Sequence, residues 1–220
     1  MINTLDDYIW RSLPEQGRFT TNPNLTKKVN STGEFLPFRG NTVVFLLDKD
    51  TRHTLQQLQT SLYQAAPDML AKRLKPSTFH MTLHDLVSDG PDDPTLDRRM
   101  TEVEKQARAL LSGWEATGPL HMKATWLFNM VNTSIVLGLA PADEESRRKL
   151  DQMYTVFEAV VPLGYALSPH ITMAYFRPGI YEQEQVGRLR SALRKVDMEV
   201  TLSKDELVLQ CFSDMNNYID

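Results

Sequence analysis

The sequence predicts an α+β fold of two similar lobes, and three observations carry that prediction. Short apolar runs rich in β-branched residues alternate with segments whose apolar residues recur at helical spacing. This alternation passes along the chain twice in the same order. Each strand-helix-strand pass ends in the same triplet, His-x-Thr, at His80-Met81-Thr82 and again at His170-Ile171-Thr172.

Residues 1–40 stand outside the repeat. They are rich in Asn, Thr, Pro and Gly, with Trp10, Phe19, Phe35 and Phe38 as candidate anchors. A helix over 5–13 is expected, then an irregular or hairpin segment packed on the first lobe. The first repeat opens with Asn41-Thr42-Val43-Val44-Phe45-Leu46-Leu47, the second with Asn132-Thr133-Ser134-Ile135-Val136-Leu137-Gly138-Leu139. Both read as buried strands. Polar breaks follow, at Asp48-Lys49-Asp50 and at Pro141-Ala142-Asp143-Glu144. Helices come next, marked by Leu55, Leu58 and Leu62 in one copy and by Leu150, Met153, Tyr154 and Phe157 in the other. Pro76 and Pro169 then lead into the His-x-Thr strands.

Downstream the parallel continues. A loop rich in Asp, Pro and Gly at 88–94 precedes a helix over 95–111 and a strand over 120–128. Arg177-Pro178-Gly179 precedes a helix over 181–196 and strands over 199–202 and 206–212. Each lobe reads β-α-β-α-β. The expected organisation is an extension, 1–40, on a single bilobal domain, 41–220, with repeats interleaved around 41–130 and 131–213. Such a duplication folds around a pseudo-two-fold axis, which places His80 opposite His170.

Composition bounds the function. The chain has 220 residues, 41% hydrophobic and 24% charged, ordinary for a globular protein with a real core. Its net charge of −4 lacks the basic footprint of a protein that grips long nucleic acid. A small nucleotide or an RNA end suits it better than a polymer. The single cysteine, Cys211, rules out an intrachain disulfide and a Cys-based zinc site. No apolar run approaches the ~18 residues of a membrane span, and the acidic start does not read as a secretory signal. A cytoplasmic monomer is the expectation.

The triplets carry the chemistry. In a strand, residues two apart share a face, so each motif presents an imidazole beside a hydroxyl. Two such pairs across a cleft supply an acid and a base for in-line attack on a phosphate ester. Thr82 and Thr172 then donate to its non-bridging oxygens. His80, Thr82, His170 and Thr172 are the candidate catalytic residues. Strict alternation also puts His84 on the cleft face, where it would contact substrate, tune His80 or stand at the rim. The same alternation puts Phe176 beside His170 as a stacking ring and turns Tyr175 into the core. Arg177 and Arg39 are candidates to meet phosphate, with Lys27 and Lys28 adding a basic tint. Asn41 and Asn132, opening equivalent strands, are expected to share a structural duty. His53 and His121 have no matching partner and no assigned role.

The paired motifs in a repeated context resemble the two-histidine (2H) phosphoesterase superfamily over about residues 41–213, and residues 36–44 resemble a poorly characterised subgroup of it. The resemblance implies a bilobal fold with two antiparallel sheets lining a central cleft and helices outside. It also implies metal-independent cleavage or formation of nucleotide phosphodiester bonds, including cyclic phosphates and 2′-5′ linkages, with no cofactor. Hydrolysis is favoured over 2′-5′ RNA ligation because the small acidic chain shows no platform for two RNA ends. Two rivals stand beside this. His80, His84, Asp85 and His170 form a conceivable zinc set, and a cleft of this kind also suits a nucleotide sensor or sequestering protein.

Overall fold

A computed structural model describes residues 2, 13–113 and 118–219. The helix expected over 5–13 and the Trp10 anchor lie outside the described residues, apart from Leu13, which is buried. Ten strands and four α-helices are described. They are β1 (Phe19–Thr20), β2 (Arg39–Leu46), α1 (Lys49–Ala65), β3 (His80–Asp89), α2 (Leu96–Gly113), β4 (Leu120–Met130), β5 (Ser134–Pro141), α3 (Glu144–Glu158), β6 (His170–Tyr175), β7 (Ile180–Tyr181), α4 (Gln183–Ala192), β8 (Glu199–Leu202), β9 (Leu207–Asp214) and β10 (Asn217–Ile219). The fold is α+β, and its long strands pair antiparallel.

The equivalent breaks seen in the sequence act as equivalent helix starts. Asp48 accepts from the Thr51 amide at 2.8 Å and caps α1; Asp143 accepts from the Ser146 amide at 2.7 Å and caps α3. Leu55, Leu58 and Leu62 of α1 and Leu150, Met153, Tyr154 and Phe157 of α3 are all buried, as their spacing predicts. One continuous core holds both helices against the sheet.

The strand order is β10-β9-β2-β3-β6-β5-β4-β8. It consists of two four-stranded antiparallel halves, joined where Met81 of β3 pairs with Ile171 of β6. The two expected sheets thus meet in one run of strands. The halves do not coincide with the repeats. β4 follows α2 in the first repeat yet pairs with β5, and β9 follows α4 in the second repeat yet pairs with β2. Each repeat therefore gives its last long strand to the other's half. Residues 13–40 bind both halves: β1 pairs with β7, the Asn22 amide donates to the Asn132 carbonyl, and the Phe38 amide donates to Ser213. Asn41 and Asn132 do not share a duty. Asn41 is buried within β2, accepting from the Val87 amide and donating to the Met100 carbonyl, whereas Asn132 sits at φ 60° in the β4–β5 turn. No helix among the described residues is long and apolar enough to cross a membrane.

If the caps matter equally, Asp48→Ala and Asp143→Ala should each cost about 1 kcal/mol, read as a fall in chemical-denaturation midpoint. A loss confined to one of them would show that the repeats differ in how their helices are held.

Candidate active site

The site begins at the β3–β6 seam. Met81 and Ile171 are paired and both fully buried, so their strand neighbours turn to the opposite face. Antiparallel register then sets His80 across from Thr172 and Thr82 across from His170, with the two histidines on a diagonal. Diagonal neighbours in such a ladder lie ~7–8 Å apart at the backbone, room for one tetrahedral anion between two imidazoles. All four side chains line a cleft of about 510 Å³.

Beyond the motifs, strict alternation fails in the same way on both strands. On β3, Val43 pairs with His84 and Val44 with Thr82, leaving Leu83 as an extra residue. On β6, Ile135 pairs with Ala174 and Val136 with Thr172, leaving Met173 extra. Each is a β-bulge, and a bulge reverses the facing of everything after it. His84 is therefore 1% exposed and in the core, and Asp85 reaches the cleft. Phe176 is fully buried, its ring 4.9 Å from that of Phe19, and Tyr175 lines the cleft instead.

These placements correct four expectations. His84 cannot meet substrate because the bulge turns it inward, between the rings of Tyr154 and Phe157. Phe176 cannot stack on a base for the same reason. Arg177 does not line the cleft; its Nε is buried near Gly33. Arg39, at the outer end of β2, pairs with Asp97 of α2 at 2.6 Å. The conceivable zinc set is also divided, since His84 points away from the face that carries His80 and Asp85.

Each bulge is held by a polar side chain from the other repeat. Gln59 of α1 donates to the Met173 carbonyl at 3.0 Å and to the Leu74 carbonyl at 3.2 Å. Glu158 of α3 lies 3.1 Å from His84 Nε2, and His84 Nδ1 lies 2.6 Å from the Asp85 carbonyl. Both partners of His84 are acceptors. Gln59, a lone amide on the apolar face of α1, was the one sequence signal of this arrangement.

The rest of the cleft comes from segments the motifs do not mark. Phe38, Phe212 and Tyr218 form an aromatic wall: Phe38 and Phe212 stack at 6.3 Å, Phe212 and Tyr218 lie 5.4 Å apart, and Tyr218 meets the His80 ring edge-on at 4.9 Å. Lys28 sits 4.7 Å over the Phe38 ring. Burial pushes the Lys28 amine below its ordinary range, with Asp85 opposing. Burial, reinforced by Tyr175 and Asp85, holds the Tyr218 phenol well above its usual pKa. Burial and then Asp85 do the same to Tyr175, so both remain O–H donors at neutral pH.

The two histidines differ. Burial first, and the His170 ring second, lower His80 to about 4; the Thr78 carbonyl pulls the other way, although His80 Nδ1 makes no hydrogen bond. His170 Nδ1 donates to the Ser168 carbonyl at 2.6 Å, which turns Nε2 to the cleft.

Two predictions follow from these environments. His84→Ala leaves the Asp85 carbonyl without its partner, takes one donor from Glu158 and opens a cavity between Tyr154 and Phe157, at a cost of ~3 kcal/mol. It should lower the melting temperature by several degrees, and calorimetry reads this directly. The folded state keeps His80 neutral where the unfolded chain binds a proton, so between pH 6.5 and about 4 the unfolded state holds more protons. Stability is full above that window and falls as pH drops through it. In His80→Gln the melting temperature should decline less over this range, and identical pH profiles for the two proteins would refute the assignment.

Comparison with known proteins bears on the fold. Residues 28–132, which include the first motif, match the family described as 2H-phosphodiest, a domain of unknown function (DUF1868). No curated protein matches the chain. Among solved structures, a conserved protein of unknown function, ATU0111 from Agrobacterium tumefaciens str. C58, is similar with a TM-score of 0.65 at 21% identity, over 99% of this chain and 98% of that one. E. coli LigT complexed with 3′-AMP is similar with a TM-score of 0.52 at 13% identity, over 83% of this chain and 94% of that one. Likeness at such identities concerns the fold. The matched segment, the fold and a His-x-Thr triplet on each side of the seam make the chain similar to the two-histidine phosphoesterases.

Proposed function

We propose that the protein is a metal-independent phosphodiesterase that hydrolyses a cyclic or 2′-5′-linked nucleotide phosphodiester. The observation that carries this reading is the quartet at the seam: two imidazoles on one diagonal and two hydroxyls on the other, on one face of the sheet. Water attacking phosphorus must lose a proton while the departing ribose oxygen gains one. His80, neutral in the free site, is suited to take the first. His170 can carry a proton on Nε2 to the leaving oxygen while Nδ1–H stays bonded to Ser168. Thr82 and Thr172 donate to the non-bridging oxygens, where charge builds in the transition state.

The surrounding cleft favours a nucleotide. Its volume suits one or two nucleosides and not a duplex. The Phe38–Phe212–Tyr218 wall offers apolar surface to a base. The Tyr218 hydroxyl and Lys28 offer donors to the phosphate. The E. coli protein of similar fold is complexed with 3′-AMP, a mononucleotide of this size.

The test is turnover of nucleoside 2′,3′-cyclic phosphates and 2′-5′ dinucleotides with EDTA present. His80→Ala and His170→Ala should each lose at least 10²-fold in kcat/KM, with folding checked by circular dichroism. The profile of kcat/KM against pH should be bell-shaped, its acid limb lying near 4 as His80 loses its proton. A profile with no acid limb near 4, or loss of activity to chelation, would sink the mechanism. Tight nucleotide binding without turnover across the panel would identify a sensor instead.

A further inference from the structure

The bulge on β3 does more than bury His84; it delivers a carboxylate to a cleft that handles phosphate. Asp85 is exposed on the cleft face, one facing position beyond Thr82, about 7 Å further along the strand. Its carboxylate accepts from the Tyr165 hydroxyl and, over a long 3.5 Å, from Thr42 Oγ1, which leaves acceptor positions open to the cleft. Among the described residues no cation pairs with it. Lys28 lies in the same cleft without pairing to it, and Arg99 is engaged by Asp93 at 2.8 Å. Its field is felt across the pocket, since it helps to raise Tyr165, to about 12, as well as Tyr175 and Tyr218, burial being the first cause in each. At the equivalent place after the second bulge stands Tyr175, whose hydroxyl donates to the Met215 sulfur at 3.1 Å. The two ends of the phosphate site are thus unlike: one carries a negative charge and one a neutral donor already in use.

We infer that Asp85 is a specificity-determining residue, which accepts a hydrogen bond from a hydroxyl or amino group of the substrate one sugar away from the reacting phosphate and excludes substrates bearing a second phosphate there. The inference rests on the nucleotide phosphodiester reading of the cleft. An ionised carboxylate is an acceptor only, so it rewards a free hydroxyl and repels a phosphoryl group. In a nucleoside with phosphate on the 2′,3′ edge, the remaining sugar hydroxyl is at 5′. The substrate class is then a nucleotide with a free 5′-hydroxyl, as opposed to a 5′-phosphorylated one. Repulsion across such a half-open site amounts to about tenfold or more in affinity.

The test is calorimetric binding of the four nucleoside 3′-monophosphates and the matching 3′,5′-bisphosphates at fixed ionic strength, which needs no turnover. Wild type should bind its best monophosphate about tenfold more tightly than the matching bisphosphate. Asp85→Asn and Asp85→Ser should bring the ratio close to one, chiefly by strengthening bisphosphate binding, with unchanged melting temperatures. Equal affinities in wild type, or an unchanged ratio in both variants, would overturn the role of Asp85 and leave the phosphate site standing. Failure of wild type to bind either series would overturn the nucleotide reading and this inference together.

Discussion

The pairing of Met81 with Ile171 is the contact on which the rest of the molecule depends. It is one step of backbone ladder between two half-sheets, with both side chains sunk in the core. Because strand side chains alternate, burying these two obliges their neighbours on each strand to face the other way. Antiparallel register then mixes the motifs, so each imidazole stands beside the other strand's hydroxyl. A slip of one residue in either strand would send that strand's His and Thr into the core.

The bulges just beyond the seam are the second constraint, and they tie the repeats together. A bulge leaves backbone groups out of the ladder, and those groups need partners. Gln59 reaches from the first repeat to the bulge of the second, and Glu158 reaches from the second, through His84, to the bulge of the first. The scaffold is symmetric in position and asymmetric in chemistry. One bulge is held by an amide and the other by a carboxylate and an imidazole; one delivers a phenol to the cleft and the other a carboxylate. The same holds at the motifs, where His170 has a carbonyl behind it and His80 has none within hydrogen-bond geometry. These differences give a nearly symmetric cleft a direction.

Much of this was legible in the chain. The helix spacing of Leu55, Leu58 and Leu62, the polar breaks at Asp48 and Asp143, and the His-x-Thr strands all follow from local pattern, because helix and strand periods act over a few residues. Tyr175, His84 and Phe176 face opposite to strict alternation because a bulge is a property of two strands in register, and one strand's sequence does not reveal its partner's count. The aromatic wall was missed for a related reason. Phe38, Phe212 and Tyr218 come from opposite ends of the chain and meet only through the exchange of β9 into the first half-sheet.

That exchange also imposes an order on how the molecule can be made. β2, at residues 39–46, finds its outer partner only when residues 207–214 have emerged from the ribosome. Until then a long apolar strand containing Val43, Val44 and Phe45 stands with one edge open, the state in which nascent chains stick to one another. Pairing across so much sequence is slow in general. The last strands to arrive close the sheet and, with Phe212, Met215 and Tyr218, complete the cleft wall. The site is whole only once these strands have joined the sheet, and a chain stopped short of them would carry both motifs without the cleft they need.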